Sequence, residues 1–290
     1  MSAFASHGFN SEAYLALRPT YNRSMVRWLL DYHQGSHDCA LDVACGPGTF
    51  TVDLAPHFDR VVGIDPSPNM IDSAKNDAQS KCVKNIDYKQ GSAESLPIDS
   101  DSVDLLTVMQ GAHWFKINDF LSEALRVLRP GGTLAMVGYG YAEAANWPES
   151  ANGRTFARDL AIHKEKLEPY WSEGFTLIED AYKPLYEATS ATSKFENVEY
   201  LCYPKETAAN SKIAIVLPET WIDSKSMFVD GFRASLKTWS AYKSWKDVHQ
   251  HDVDIIDAYF DKHQEEFGIQ GDDDVVIEWP QFAVVARKPL

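Results

Sequence analysis

Short apolar runs alternate with amphipathic stretches through the first half of the chain. Cys39–Ala44 (CALDVA) is apolar apart from one aspartate and runs straight into glycines, the pattern of a buried strand entering a tight turn. Thr49–His57 then reads as a helix, Arg60–Ile64 (RVVGI) as a second strand and Ser67–Gln79 as a second helix. Ile86–Lys89 is a third strand and Val103–Met109 (VDLLTVM) a fourth. Asn118–Leu128 has helical periodicity and stops before Arg129-Pro130-Gly131-Gly132, after which Thr133–Val137 is a fifth strand. Strands alternating with helices predict a mostly parallel sheet with helices on both faces.

Outside that stretch the pattern changes. The first 37 residues read as two short helices broken at Arg18-Pro19. From Tyr141 to Lys225 the alternation stops, and this Glu-, Lys-, Tyr- and Trp-containing segment is predicted as a mostly helical insert. Met227–Lys246 is predicted as one helix, with Phe228, Phe232, Leu236 and Trp239 at helical spacing. Asp252–Phe267 is another. Val275–Trp279 and Phe282–Arg287 are predicted as a terminal antiparallel hairpin turning at Trp279-Pro280-Gln281. The expectation is one α/β domain over residues 1–290: an N-terminal segment 1–37, a core 38–140, a cap insert 141–225, and C-terminal helices and hairpin 226–290.

Composition narrows the partners. The hydrophobic share of 44% and charged share of 24% are those of a globular protein. A net charge of −15 repels phosphate backbones, which argues against DNA or RNA as a partner. The four cysteines, Cys39, Cys45, Cys82 and Cys202, form no CxxC pair and no zinc spacing, so reduced thiols in a cytoplasmic protein are expected. The first residues lack a basic region followed by an apolar run, and no apolar stretch is long enough to cross a bilayer. No metal site is expected; Asp272, Asp273 and Asp274 read as a solvated turn. A small-molecule substrate remains.

The chemistry starts at Leu41–Thr49 (LDVACGPGT). Asp42 ends the first strand, and Gly46 and Gly48 let the backbone turn and approach a ligand at the start of the next helix, whose free N–H groups favour an anion. Such a loop suits a pyrophosphate or the carboxylate of S-adenosylmethionine. The dinucleotide fingerprint GxGxxG requires a third glycine where this chain has Thr51. A plain tight turn is the remaining reading. Asp65, at the tip of the second strand in Gly63-Ile64-Asp65-Pro66-Ser67, suits two ribose hydroxyls or a helix cap. Met70 suits an adenine face or the core. His113, just past the fourth strand, is placed to hydrogen-bond an acceptor, to act as a base, or to cap locally.

The order DVACGPG, GIDPS, GSAESLP, SVDLLTVMQGAHWF, LRPGG resembles the class I methyltransferases, whose sheet is Rossmann-like with seven strands, mostly parallel. The flanks FNSEAYLALRPTY, AHWF, PYW, TWSAYKSW and IEWPQF resemble the trans-aconitate methyltransferases and the related cantharidin methyltransferases. The resemblance implies S-adenosyl-L-methionine as cofactor and methyl transfer to a carboxylate of a small acid. It places the cofactor against Asp42, Ala44, Gly46, Gly48, Asp65, Pro66, Met70, Ser92, Ala93 and Gln110. It makes the N-terminal segment a lid, with Tyr14, Arg18 and Tyr21 near the acceptor and Arg18 as a carboxylate clamp, although Arg18 also reads as a surface residue before a proline. Tyr170, Trp171, Trp239 and Tyr242 become candidates for an acceptor wall, and Trp114 packs nearby. Trp239, Tyr242 and Trp245 recur every third residue, a stripe equally suited to a core. Ser172–Thr176 lacks the arginine of the aconitate pattern, which points to an acid of lower charge. A carboxylate, with pKa ~4, needs no base, whereas a phenolic hydroxyl, with pKa ~10, does; His113 is the candidate catalytic residue in either case.

Overall fold

The computed structural model describes residues 19–144, 166–172, 174–203, 214–217 and 219–290. The predicted helix before Arg18-Pro19, and with it Tyr14 and Arg18, lies outside the described residues. The chain divides into two compact units, 21–140 with 174–221 and 280–290, and 1–20 with 141–173 and 222–279.

The larger unit is built on one eight-stranded sheet. Its first five strands are β1 (Cys39–Val43), β2 (Arg60–Asp65), β3 (Ile86–Gln90), β4 (Val103–Met109) and β5 (Leu128–Tyr139). Later strands are β7 (Glu196–Tyr203), β8 (Ala214–Val216) and β11 (Gln281–Arg287), and the spatial order is β3-β2-β1-β4-β5-β11-β7-β8. The pairs among β1 to β5 are parallel, as is β7 with β8, while β11 runs antiparallel to both β5 and β7. The described helices of this unit are α1 (Arg23–Tyr32), α2 (Thr49–Leu54), α3 (Pro68–Ser80), α4 (Ile117–Val127), α5 (Phe175–Glu179) and α6 (Lys183–Ala191).

Alternation along the strands explains the layers. Successive side chains leave a strand on opposite faces, so Leu41, Val62 and Leu106 join α4 and α6 through Phe120, Leu121 and Leu185. Their neighbours Ala40, Val61 and Leu105 join α1 and α2 through Met25, Leu29 and Leu54. Burial on both faces is why β4 is apolar with almost no alternation. All but the last of its residues are buried.

Four expectations are corrected. The sheet has eight strands where the sequence predicts seven: β7 and β8, from the segment expected to be helical, join it, while the predicted strand at Asp274–Glu278 pairs in a second sheet instead. Residues 174–221 thus belong to the sheet-containing unit and not to a cap. The helix stop at Arg129–Gly132 is already strand: β5 begins at Leu128, Gly131 adopts φ +79, and Lys288 bonds through its backbone to Gly131 and Gly132. Finally, the helix predicted over Met227–Lys246 is three elements: β9 (Lys225–Phe228), α7 (Val229–Leu236) and α8 (Ser240–Val248). The hydroxyls of Ser235 and Thr238 donate to the carbonyls of Phe232 and Ser235 at 2.7 and 2.6 Å, competing with the helical ladder, and Trp239 turns extended.

In the smaller unit, β6 (Glu143–Ala144), β10 (Asp274–Glu278) and β9 form a three-stranded antiparallel sheet with β10 in the centre. The two C-terminal strands are antiparallel additions as expected; each takes other partners, β10 here and β11 in the large sheet. Helix α9 (Ile255–Phe267) packs Phe260 against Phe232 of α7, and Arg233 bonds Asp257 and Asp261 on α9.

Candidate active site

The strand order sets the location. β2 and β4 flank β1, so the connections leave β1 in opposite directions and open a crevice at the carboxyl ends of β1 and β4. Both strands end in strain. Ala44 follows β1 with φ 57 and Gln110 follows β4 with φ 56, a left-handed conformation that is uncommon for side-chain-bearing residues. The two turns touch: a Cβ on Gly111 would lie 2.6 Å from the Cβ of Ala44. Gln110 is held by its own amide, which donates to the carbonyl of Tyr139 at 3.1 Å and accepts from its N–H at 2.6 Å. Its side chain is thereby committed to β5.

The two loop glycines differ. Gly48 (φ +82) has no room, since a Cβ would lie 2.9 Å from Ala74 and collide with the Tyr88 hydroxyl. Gly46 (φ +54) faces open space, with nothing within 4 Å of a Cβ. Its N–H donates to Asp65 at 3.0 Å, and Asp65 also accepts from the N–H of Ser67 at 2.9 Å. Asp65 therefore braces the glycine loop as well as the start of α3. Burial raises its pKa against the pull of these two bonds.

Asp42 was expected at the cofactor. It is instead fully buried in the sheet, accepting from the hydroxyls of Thr51 at 2.6 Å and Thr107 at 2.9 Å. Thr51, which breaks the dinucleotide fingerprint, thus pins α2 to β1. Burial lifts the Asp42 pKa to about 6, against the opposing pull of the two hydroxyls. The folded chain then holds this proton to higher pH than the unfolded chain. The Asp42 contribution to stability is full below pH ~4 and is lost as pH rises to about 6. Asp42→Asn should flatten that window and gain stability over wild type above pH 6. Urea midpoints from pH 4 to 8 test it; parallel curves for the two proteins would refute it.

On the far side of β2, Met70 is buried in the first turn of α3 and Pro66 is exposed, its carbonyl accepting from Gln90 at 3.0 Å. Ala93 is in the core, and the Ser92 hydroxyl donates to Glu94. The other Glu94 oxygen accepts the N–H of Lys116 at 3.0 Å, which ties the turn after β3 to the start of α4.

His113 lies in a buried 3-10 turn, Ala112–Trp114, beyond β4. Its Nδ1 is 3.4 Å from the hydroxyl of Tyr182. Tyr182 is fully buried, which pushes its phenol well up. In the tautomer in which the Tyr182 hydroxyl donates to Nδ1, Nε2 carries the imidazole proton and is a donor. Gly174 backs the turn: a Cβ on it would fall on the His113 carbonyl oxygen. Neither Tyr182 nor Gly174 was legible in the sequence, because each acts across a long sequence separation. Trp114 is 38% exposed beside the His113 ring. Tyr21 is half-buried against Phe50 and Tyr139.

The remaining aromatic candidates lie in the smaller unit, and the stripe splits. Trp239 precedes α8 and clusters with Trp171 and Tyr141, with ring centres 5.4 to 6.1 Å apart. Tyr242 and Trp245 are buried, and the Tyr242 hydroxyl donates to Asp254 at 2.5 Å, so Tyr242 is core. Tyr170 bonds His249, a residue the sequence reading passed over.

A methyltransferase-domain family matches residues 41–136, the stretch that holds β1 to β5. A Dictyostelium discoideum protein described as a methyltransferase is 31% identical over 209 residues, covering 71% of this chain and 73% of that protein. The chain belongs to the class I S-adenosylmethionine-dependent methyltransferases. A Saccharomyces cerevisiae protein described as an S-adenosylmethionine-dependent methyltransferase is 25% identical to it over 295 residues, 99% of this chain and 98% of the other. A solved methyltransferase structure from Anaeromyxobacter dehalogenans, 23% identical, shares the fold with a TM-score of 0.63 over 94% of this chain and 98% of that one. The dinucleotide reading of the glycine loop is set aside, and the methyltransferase takes S-adenosylmethionine as cofactor. Its residues fit that group. The space beyond Gly46 is open, the Asp65 carboxylate stands beside it, and both lie at the switch point. No described helix is long and apolar enough to cross a membrane.

Proposed function

We propose that this methyltransferase esterifies a carboxylate of a small acid resembling trans-aconitate, with the cofactor held by the loop around Gly46 and by Asp65. The observation that carries the reading is His113. Its Nδ1 lies 3.4 Å from the Tyr182 hydroxyl, and in the tautomer in which that hydroxyl donates to Nδ1, the Nε2–H is a donor suited to hold a carboxylate and cannot take a proton from a hydroxyl nucleophile. The AHWF, PYW and TWSAYKSW motifs support the same reading. The chain's negative charge and the absence of a basic residue at Ser172–Thr176 favour an acid of modest charge.

S-adenosylmethionine supplies an electrophilic methyl group. An acceptor carboxylate with pKa ~4 is already ionised at neutral pH, so the protein's task is alignment and exclusion of water. An acceptor screen with labelled donor, covering aconitate isomers, other small acids and phenols, tests this directly. The expected product releases methanol in mild alkali, and kcat is flat from pH ~5 upward. His113→Ala should raise KM about tenfold with little change in kcat, the signature of a lost positioning bond. An alkali-stable product together with a ~10²-fold fall in kcat would make His113 a base acting on a hydroxyl.

A further inference from the structure

Two neighbouring residues of the larger unit, Ala181 and Tyr182, both adopt the left-handed backbone, with φ 49 and 62. Such a pair of side-chain-bearing residues is strained, and it persists only where its surroundings over-determine it. Here they do. The Tyr182 N–H donates to the carbonyl of Leu177 at 2.7 Å, and the Tyr200 hydroxyl donates to the carbonyl of Ala181 at 2.9 Å. The Tyr182 ring packs on Phe282 with centres 4.8 Å apart. Its space exists because residue 138 is glycine, where a Cβ would lie 2.8 Å from the ring. The strained turn brings the Tyr182 hydroxyl to Nδ1 of His113, at 3.4 Å. The start of the same connection reaches the same target, where Gly174 backs the His113 carbonyl.

The direction of this bond follows from the burial of the hydroxyl. Tyr182 is fully buried, so water does not compete for its proton, and burial holds the phenol well above its ordinary value, so the proton stays on the oxygen. Among the described residues, Nδ1 of His113 is the one acceptor within hydrogen-bond reach of this hydroxyl. If Nδ1 carried the ring proton, it would donate to the phenol oxygen and leave the buried O–H with no acceptor. An unmet buried donor costs more than the bond returns. We propose that Tyr182 fixes the tautomer of His113, with Nδ1 as acceptor and the ring proton on Nε2, and is thereby a positioning residue for the methyl acceptor. An Nε2–H suits an atom that offers a lone pair, such as a carboxylate oxygen, and cannot relieve a hydroxyl of its proton. The positioning role rests on the carboxylate reading above; the tautomer does not.

Histidine nitrogen NMR of the intact protein at pH ~8.5, above the ordinary imidazole range of roughly 6.5, reads the tautomer. The His113 signals are assigned by their loss in His113→Ala. Wild type should carry the proton on Nε2. Tyr182→Phe keeps the ring on Phe282 and removes the hydroxyl alone, and in it the Nδ1-protonated form should appear. A wild-type proton on Nδ1 overturns the proposal, and so does the same tautomer mixture in both proteins. If Tyr182→Phe does not fold, the wild-type spectrum decides. Kinetics then use a carboxylate that turns over in the acceptor screen. Tyr182→Phe should raise its KM roughly threefold to tenfold, keep kcat within about twofold and leave the calorimetric affinity for S-adenosylhomocysteine unchanged. Adding Tyr182→Phe to His113→Ala should change nothing more, because the hydroxyl acts through the imidazole. Effects that multiply in the double variant overturn the positioning role. If no carboxylate turns over, the carboxylate reading fails, and the NMR comparison still decides whether Tyr182 sets the tautomer.

Discussion

A Gly46→Val variant is expected to lose S-adenosylmethionine binding while keeping its fold. The expectation rests on the contrast between two glycines of one loop. A Cβ at Gly46 meets no protein atom within 4 Å, so the cost to the empty protein is the left-handed backbone alone. That cost is on the order of 1–2 kcal/mol for a side-chain-bearing residue and leaves a core of this size intact. The same side chain projects into the open space at the switch point, the space that the proposed cofactor placement needs. Gly48→Ala should behave in the opposite sense. Its Cβ would press on Ala74 and the Tyr88 hydroxyl, so overpacking of roughly 1–3 kcal/mol adds to the strain, and the variant should melt well below wild type. Calorimetric titration with S-adenosylmethionine and thermal melts separate the two. Wild-type affinity in Gly46→Val would remove the loop from the cofactor site, and unfolding of that variant would show that the space is structural.

The turns at the ends of β1 and β2 were legible because they are encoded locally. Leu41–Thr49 and Gly63–Ser67 each place a strand end, a turn and a helix start within a few residues, and such short-range patterns survive folding unchanged. Even there, the sequence assigned a contact where the structure has a support. Asp42 reads as a ligand residue beside glycines, yet it points into the sheet and holds Thr51 and Thr107. Thr107 sits within an apolar strand with nothing to mark it as a partner. The strands β7 and β8 were missed for a related reason. Glu196–Tyr203 carries polar residues on a half-covered strand and pairs with β11, far away in the chain, so neither an apolar run nor a neighbouring turn announces it. The break at Trp239 was hidden because Phe232, Leu236 and Trp239 keep helical spacing across it. The hydroxyls that end α7 compete through bonds that spacing does not reveal.

Asp65→Ala is expected to weaken S-adenosylmethionine binding by more than tenfold, and the effect should divide into two parts. One is the loss of the brace: the N–H groups of Gly46 and Ser67 both donate to this carboxylate, and alanine leaves the loop and the start of α3 without an acceptor. The other is the loss of charge-assisted bonds to ribose hydroxyls, worth roughly 1.5–3 kcal/mol. Asp65→Asn separates them only in part, since its amide oxygen can take one of the two N–H bonds while its NH2 faces the other donor. Changing the ligand as well completes the division. S-adenosylhomocysteine and an analogue lacking both ribose hydroxyls, titrated into wild type and Asp65→Ala, make a double-mutant cycle. If Asp65 holds the ribose, removing the hydroxyls costs wild type tenfold or more and the variant almost nothing. If Asp65 only braces the loop, the analogue loses the same affinity in both proteins. Equal affinity of the folded variant and wild type for S-adenosylhomocysteine would leave Asp65 as a helix cap, and the open space beyond Gly46 would then need its ribose anchor elsewhere along the ends of β2 and β3.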